Sequence, residues 1–255
     1  MTTDEANRIL GTSSWALETR QRIVQIARHR YNVAITGPPG AGKRFLADVL
    51  HRLSPRATRP MVPVDCSLLT DAVFASQLFG HEAGAFPGAT GAAMGSFRAA
   101  DGGTMLLANV ETLSLERQQE LQTALSARRI TAVGSETPVP IDVRLVTASH
   151  RSLQKEVSDR RLLPELYTLL DAVSLTVVAL QQRSEDIAPL AAQFLQEVAA
   201  EFDEPRKQLA RDGLARLEHY HWPGNVTELR ETIERGAVFS EKTELDASSF
   251  GFLPD

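Results

Sequence analysis

The residues "GPPGAGKR", Gly37 to Arg44, follow the apolar run "NVAIT" and precede the helix-compatible stretch "FLADVLHRL". A glycine-rich turn between a strand and a helix aims successive backbone amides into one small volume. The helix N-terminus adds the positive end of its dipole, and a lysine closing the turn reaches the terminal phosphates. Gly37, Pro38, Pro39, Gly40, Ala41, Gly42, Lys43 and Arg44 therefore predict a phosphate-binding loop. The general pattern has Ser or Thr after the lysine, with a hydroxyl for magnesium; here Arg44 stands there. An ordinary glycine turn is the competing reading, and the order of strand, loop and helix argues against it.

The elements that must carry this loop are legible from hydrophobic patterning. Residues 15–30 place Trp15, Ile23 and Ile26 among charges, as an amphipathic helix does. The apolar runs "YNVAITG", "MVPVDC", "GTMLLANV", "VRLVTAS" and "VSLTVVAL" are of strand length and alternate with helix-compatible segments such as "SLERQQELQTALSAR". That alternation predicts an α/β fold, a parallel sheet with helices on both faces. From Ser184 onward the pattern is helical. Ile187, Leu190, Ala191, Phe194, Leu195 and Val198 share one face, with Ser184 as the expected N-cap. Asn225 and Glu228 have capping-box spacing before Leu229 and Ile233.

With 255 residues, 43% of them hydrophobic, the chain has ample material for a core. A formal net charge of −5 offers no bulk attraction to nucleic acid. The single cysteine, Cys66, cannot form an internal disulfide and reads as a buried structural thiol beside a strand end. Neither a secretion signal nor an apolar stretch long enough to span a bilayer is present, so a cytoplasmic location and no membrane association are expected. His219 and His221 have no companions at metal-ligand spacing and read as helix-end residues, so no protein-held metal site is expected. Arg28, His29 and Arg30 read as a solvated helix terminus.

The stretch "SQLFGHEAGAFPGATGAAMGSFRAADGGTMLL" resembles the loop region of the bacterial sigma-54-dependent transcription activators, the enhancer-binding proteins among the AAA+ ATPases. Their signature GAFTGA appears as "GAFPGA", Gly84, Ala85, Phe86, Pro87, Gly88 and Ala89. The resemblance continues through "RILGTS", "PIDVRLVTASHRSL", "RSEDIAPLAAQFL" and "YHWPGNVTELRETIER". It implies an AAA+ P-loop NTPase with a central parallel sheet flanked by helices over residues 1–180 and a small all-helical lid over 181–255. It also implies a ring-forming module whose loop touches sigma-54 RNA polymerase. Ile9, Leu10 and Gly11 match the segment that lies against adenine, so the expected cofactor is ATP or ADP, bound weakly, with magnesium left open.

Measured against that resemblance, the hydrolytic residues are replaced. The two strand-end acids fall on Ala108 and Asn109, and the sensor asparagine on His150. Both arginines supplied to a neighbouring subunit fall on Leu163 and Leu169, the lid arginine on Thr227, and the asparagine of the family's "VNC" on Asp65. Alanine offers no ligand, and neutral Asn takes no proton from water. Glu111 shares a face with Asn109 only if the strand runs on that far. The expectation is a pseudo-ATPase acting as a regulatory or decoy subunit, bound to sigma-54 RNA polymerase or to an intact activator subunit in a homo- or hetero-oligomeric ring. The alternative is a slow ATPase with a rearranged site. Pro87 removes a hydroxyl and an amide donor from the contact loop. After Phe239 too few residues follow for a DNA-binding unit, so no direct DNA binding by this chain is expected.

Overall fold

The computed structural model describes residues 2–254. Five strands, β1 (Val33–Thr36), β2 (Met61–Asp65), β3 (Thr104–Ala108), β4 (Arg144–Ser149) and β5 (Val173–Thr176), form one sheet. Its order is β2-β3-β4-β1-β5, and every pairing is parallel. A parallel sheet is covered on both faces, and β3 shows how this one is filled. Met105 and Leu107 point into one core with Phe74, Phe97 and Leu121, while Leu106 points into the other with Val33, Ile35 and Leu50. The second core packs the helix Ser14–Ala27 and the loop helix Lys43–Arg52 against the sheet.

The register sets the site. Asp65, Ala108 and Ala148 lie side by side across three strands, and Thr36 is paired with Ser149. The residues that leave the sheet next, Cys66, Asn109, His150 and Gly37, therefore emerge along one edge, at the carboxyl ends where open parallel sheets bind ligands.

The C-terminal unit has its own core. Helices Ile187–Glu201, Arg211–His219 and Asn225–Phe239 enclose Phe194, Leu217, Trp222, Leu229 and Phe250. It is not wholly helical, because Gln208–Leu209 pairs in parallel with Glu244–Leu245. The run "VSLTVVAL" stops being strand at Thr176, although the Val177 amide still donates to the Thr36 carbonyl at 2.7 Å.

Both expected caps differ from the structure. Ser184 lies inside a tight turn, Leu180–Asp186, and the helix starts at Ile187, because the backbone kinks at Arg183 (φ −143°, ψ 52°). Asn225 does not cap its own helix. Glu228 Oε2 accepts the Gly224 amide at 2.7 Å, which releases Asn225 to accept from the Leu180 amide at 2.8 Å and donate to the Pro39 carbonyl at 2.9 Å.

Cys66 is buried and reduced, as its place at the end of β2 implies. Burial, with Asp65 and Glu111 adding negative charge nearby, pushes its thiol up to about 12. Since only the thiolate reacts, a disulfide-exchange reagent at pH 8 should label Cys66 at the rate of unfolding. Labelling that stays fast when urea is withheld would show the β2 end to be open.

Candidate nucleotide-binding site

The loop from Gly37 to Gly42 turns through left-handed conformations at Gly40 (φ 70°) and Gly42 (φ 104°), which glycine adopts without strain. Lys43 opens the following helix, and its Nζ is folded back onto the loop, donating to the Gly37 and Pro38 carbonyls at 2.7 and 2.8 Å. Burial lowers the lysine below its ordinary range, while the charge of Glu111 works in the opposite direction. Arg44 is exposed on the same helix.

The lid closes over the outer side of this loop. Thr227 donates its amide to the Gly40 carbonyl at 3.2 Å, beside the Asn225 bond to Pro39. A Cβ on Gly40 would sit 2.1 Å from the Gly224 carbonyl oxygen, so only glycine permits this approach. Arg183 completes the clasp: its Nη2 donates to the Ala41 carbonyl at 2.9 Å, and its guanidinium lies 4.1 Å from the Trp15 ring centroid. Burial pulls that guanidinium down to about 10, against the opposing charge of Asp186. Asp186 itself accepts from the Thr12 amide, the Ser13 amide and the Ser13 hydroxyl at 2.8–2.9 Å.

Between lid and sheet lies a cavity of about 740 Å³, of the size that holds a small-molecule cofactor. Ile9 and Leu10 of the predicted adenine segment line it, as do Gly40, Ala41 and Gly42 of the loop and Thr227 of the lid. Gly11 supports the segment from behind, its carbonyl and that of Ile9 both taken by Arg20 at 2.9 and 2.6 Å. Sequence patterning alone missed Arg183, Phe45 and Arg230, which also line the cavity. Arg230 is ion-paired with Glu197 at 2.7 Å, one helical turn past Thr227. Arg183 reaches Ala41 across 142 residues of sequence, a contact that no spacing rule anticipates.

At the sheet edge, β3 ends on Ala108, and Asn109 turns the chain in the left-handed conformation (φ 54°). Its side chain bridges two neighbours: Nδ2 donates to Asp65 Oδ1 at 3.0 Å, and Oδ1 lies 3.3 Å from His150 Nδ1. Burial alone would raise the Asp65 carboxyl, but hydrogen bonds from Ser67 and Asn109 outweigh it and hold the group below the usual carboxylate range. Glu111 is not on a continuation of the strand; it lies in the tight turn Val110–Thr112. It nevertheless points inward, with Oε1 accepting from the Ser149 hydroxyl at 2.6 Å and Oε2 buried without a partner. The condition that patterning attached to Glu111, a longer strand, is therefore not met, and a turn rather than the strand's period brings the carboxylate inward.

Among the described residues no group of three or more His, Cys, Asp or Glu is gathered as a metal site. A divalent ion held with a nucleotide here would find no side-chain oxygen at Ala108, and Glu111 Oε2 is the buried carboxylate oxygen left without a partner at this edge.

The remaining positions lie apart. Leu163 donates its amide to Gln118 at 2.9 Å and packs on the first core, and the Leu169 carbonyl accepts from Asn32 at 2.7 Å. The "GAFPGA" segment forms a turn closed by Gly84 donating to Ala89 at 2.9 Å and Ala89 to Phe86 at 3.0 Å. Phe86 is exposed, its ring 5.0 Å from that of His81, and Ala89 is buried.

The sigma-54 interaction domain matches residues 9–176, and an AAA+ ATPase lid domain matches residues 181–252. The chain belongs to the sigma-54 interaction domain family. It is 36% identical over 239 residues to the response regulator protein PilR of Pseudomonas aeruginosa, covering 94% of this chain and 54% of that one. To the transcriptional regulatory protein ZraR of Escherichia coli it is 37% identical over 230 residues, covering 90% of this chain and 52% of ZraR. It thus spans about half the length of these relatives. Crystal structures of NtrX from Brucella abortus superpose with TM-scores of 0.86 for the ADP complex and 0.85 for the ATP complex. Identity is 28% in both, covering 96% of this chain and 54% of NtrX. Among the described residues no helix is long and apolar enough to cross a membrane.

The Asp65–Asn109 bond has a pH signature. Because the folded carboxyl lies below its unfolded value, it contributes stability that is fully present above the unfolded pKa and lost as pH falls through the folded one. Asn109→Gly, which keeps the left-handed turn, should raise the Asp65 midpoint in a carbon-13 NMR titration and make acid unfolding begin at higher pH. An unchanged midpoint would mean that Ser67 alone sets it.

Proposed function

We propose that this chain is a sigma-54-interaction AAA+ module that binds ATP or ADP and does not turn it over at a useful rate, serving as a regulatory or decoy subunit in bacterial transcription. Residues 1–180 would form the nucleotide-binding part and 181–255 the lid. Gly37 to Arg44 would hold the phosphates and Ile9 to Gly11 the adenine. Gly84 to Ala89 would present Phe86 to sigma-54 RNA polymerase. The nucleotide reading draws support from the cavity between loop and lid, and from NtrX, crystallised with ADP and with ATP.

The observation that carries the pseudo-ATPase reading is the carboxylate-free strand end, where Asn109 is spent on Asp65 and His150. Phosphoryl transfer depends on charge and positioning around the γ-phosphate, and an arginine finger alone is worth roughly 10³ to 10⁵ in rate. Leu163 and Leu169 would donate nothing to a neighbour's phosphates, and Leu163 is committed to the core. In a mixed ring this chain would therefore silence the adjacent active subunit. A slow ATPase is the second reading, and the inward-facing Glu111 carboxylate is what favours it.

Titration calorimetry should give ADP binding that Lys43→Ala weakens by at least about tenfold, the equivalent of one charge-assisted phosphate contact. Labelled-phosphate release from ATP should stay at background for both proteins. Turnover in the wild type that Lys43→Ala abolishes would replace the pseudo-ATPase by the slow enzyme. Added to an active relative, the chain should lower turnover per ring, and unchanged turnover would rule out co-assembly.

A further inference from the structure

Three buried side-chain polar atoms lack a hydrogen-bond partner among the described residues: Glu111 Oε2, Thr147 Oγ1 and Arg183 Nε. Glu111 is the only carboxylate of the three. An orphaned carboxylate oxygen costs more than a lost neutral hydrogen bond, because an ion loses more on leaving water. This one is nevertheless held in place: its side chain is 2% exposed, and Ser149 fixes Oε1 at 2.6 Å, which leaves Oε2 as the free end. Ser149 is the neighbour of Thr36 across β4 and β1, and its carbonyl takes the Gly37 amide at 3.2 Å, so Ser149 links the carboxylate to the root of the phosphate loop. Its charge also acts on the loop lysine.

We infer that Glu111 is the cation-side carboxylate of the nucleotide site, its free oxygen accepting from water on the divalent ion that accompanies the phosphates. The role left empty by Ala108 is thereby taken by a residue three positions on. This rests on the proposed binding of nucleotide at Gly37 to Lys43. The sign of the effect follows from charge. A buried carboxylate beside the phosphates repels bare nucleotide and attracts its magnesium complex. A carboxylate with only a packing role would affect both forms alike.

Calorimetric titration with ADP, once in chelator and once with excess magnesium, separates these possibilities for the wild type and Glu111→Gln. Magnesium should tighten ADP binding to the wild type by about tenfold, the worth of one hydrogen bond to a charged group. In Glu111→Gln that gain should disappear, while binding in chelator becomes tighter than wild type. If Glu111→Gln melts below the assay temperature, Ser149→Ala, which frees Oε1 of the same carboxylate, should show a smaller fall in the magnesium gain. A gain that survives in the folded Glu111→Gln, or one that is undiminished in Ser149→Ala should that variant have to decide, would overturn the assignment. So would a wild type that binds ADP equally with and without magnesium. Absence of any ADP binding by the wild type under both conditions would instead remove the nucleotide reading on which the assignment rests.

Discussion

The site depends on the clasp between lid and phosphate loop. Carbonyls at Pro39, Gly40 and Ala41 are each taken by a group from the C-terminal third or its approach: the Asn225 amide group, the Thr227 backbone and the Arg183 guanidinium. A peptide unit whose carbonyl is held on one side presents its amide to the other, so the lid orients the donors that a phosphate would meet. The contact also explains two departures from helical convention. Asn225 sits in the left-handed conformation to reach the loop, and Arg183 breaks its helical turn to do so. A buried guanidinium is tolerated there because it has Trp15 under its face, the Ala41 carbonyl before it and Asp186 beside it.

Across the site, β3 reaches the sheet edge without an acid at its end. β3 remains because both cores need it: Met105 and Leu107 fill one, Leu106 the other. Nothing in that packing requires an acid at Ala108 or Asn109. The polar groups there satisfy each other instead, Asp65 with Asn109, Asn109 with His150, and Glu111 with Ser149. One buried oxygen is left over, and it belongs to the residue that the strand pattern gave least reason to notice.

The sheet, its helices and the phosphate loop were readable because each rests on local order: apolar runs of strand length, helical periodicity and glycines before a lysine. What escaped is set by tertiary contact. Capping rules assigned Ser184 and Asn225 to their own helices, yet a kink at Arg183 displaces one start, and Glu228 takes over the cap at the other. Glu111 was tied to the strand's period of two, whereas the turn after Asn109 reorients the chain and brings the side chain inward. The cavity arginines Arg183 and Arg230 carry no motif, since their place is fixed by how the lid packs.

The left-handed backbone at Asn109 bears on which side chains that position can accept. Asparagine is among the few residues other than glycine that accept such a conformation readily, whereas a longer acid there carries a conformational penalty of about 1 kcal/mol or more. Introducing acids at 108 and 109 would also break the amide bridge to Asp65 and place new negative charge beside a carboxylate already buried nearby. Acid substitutions at this strand end thus run uphill in backbone conformation as well as in charge.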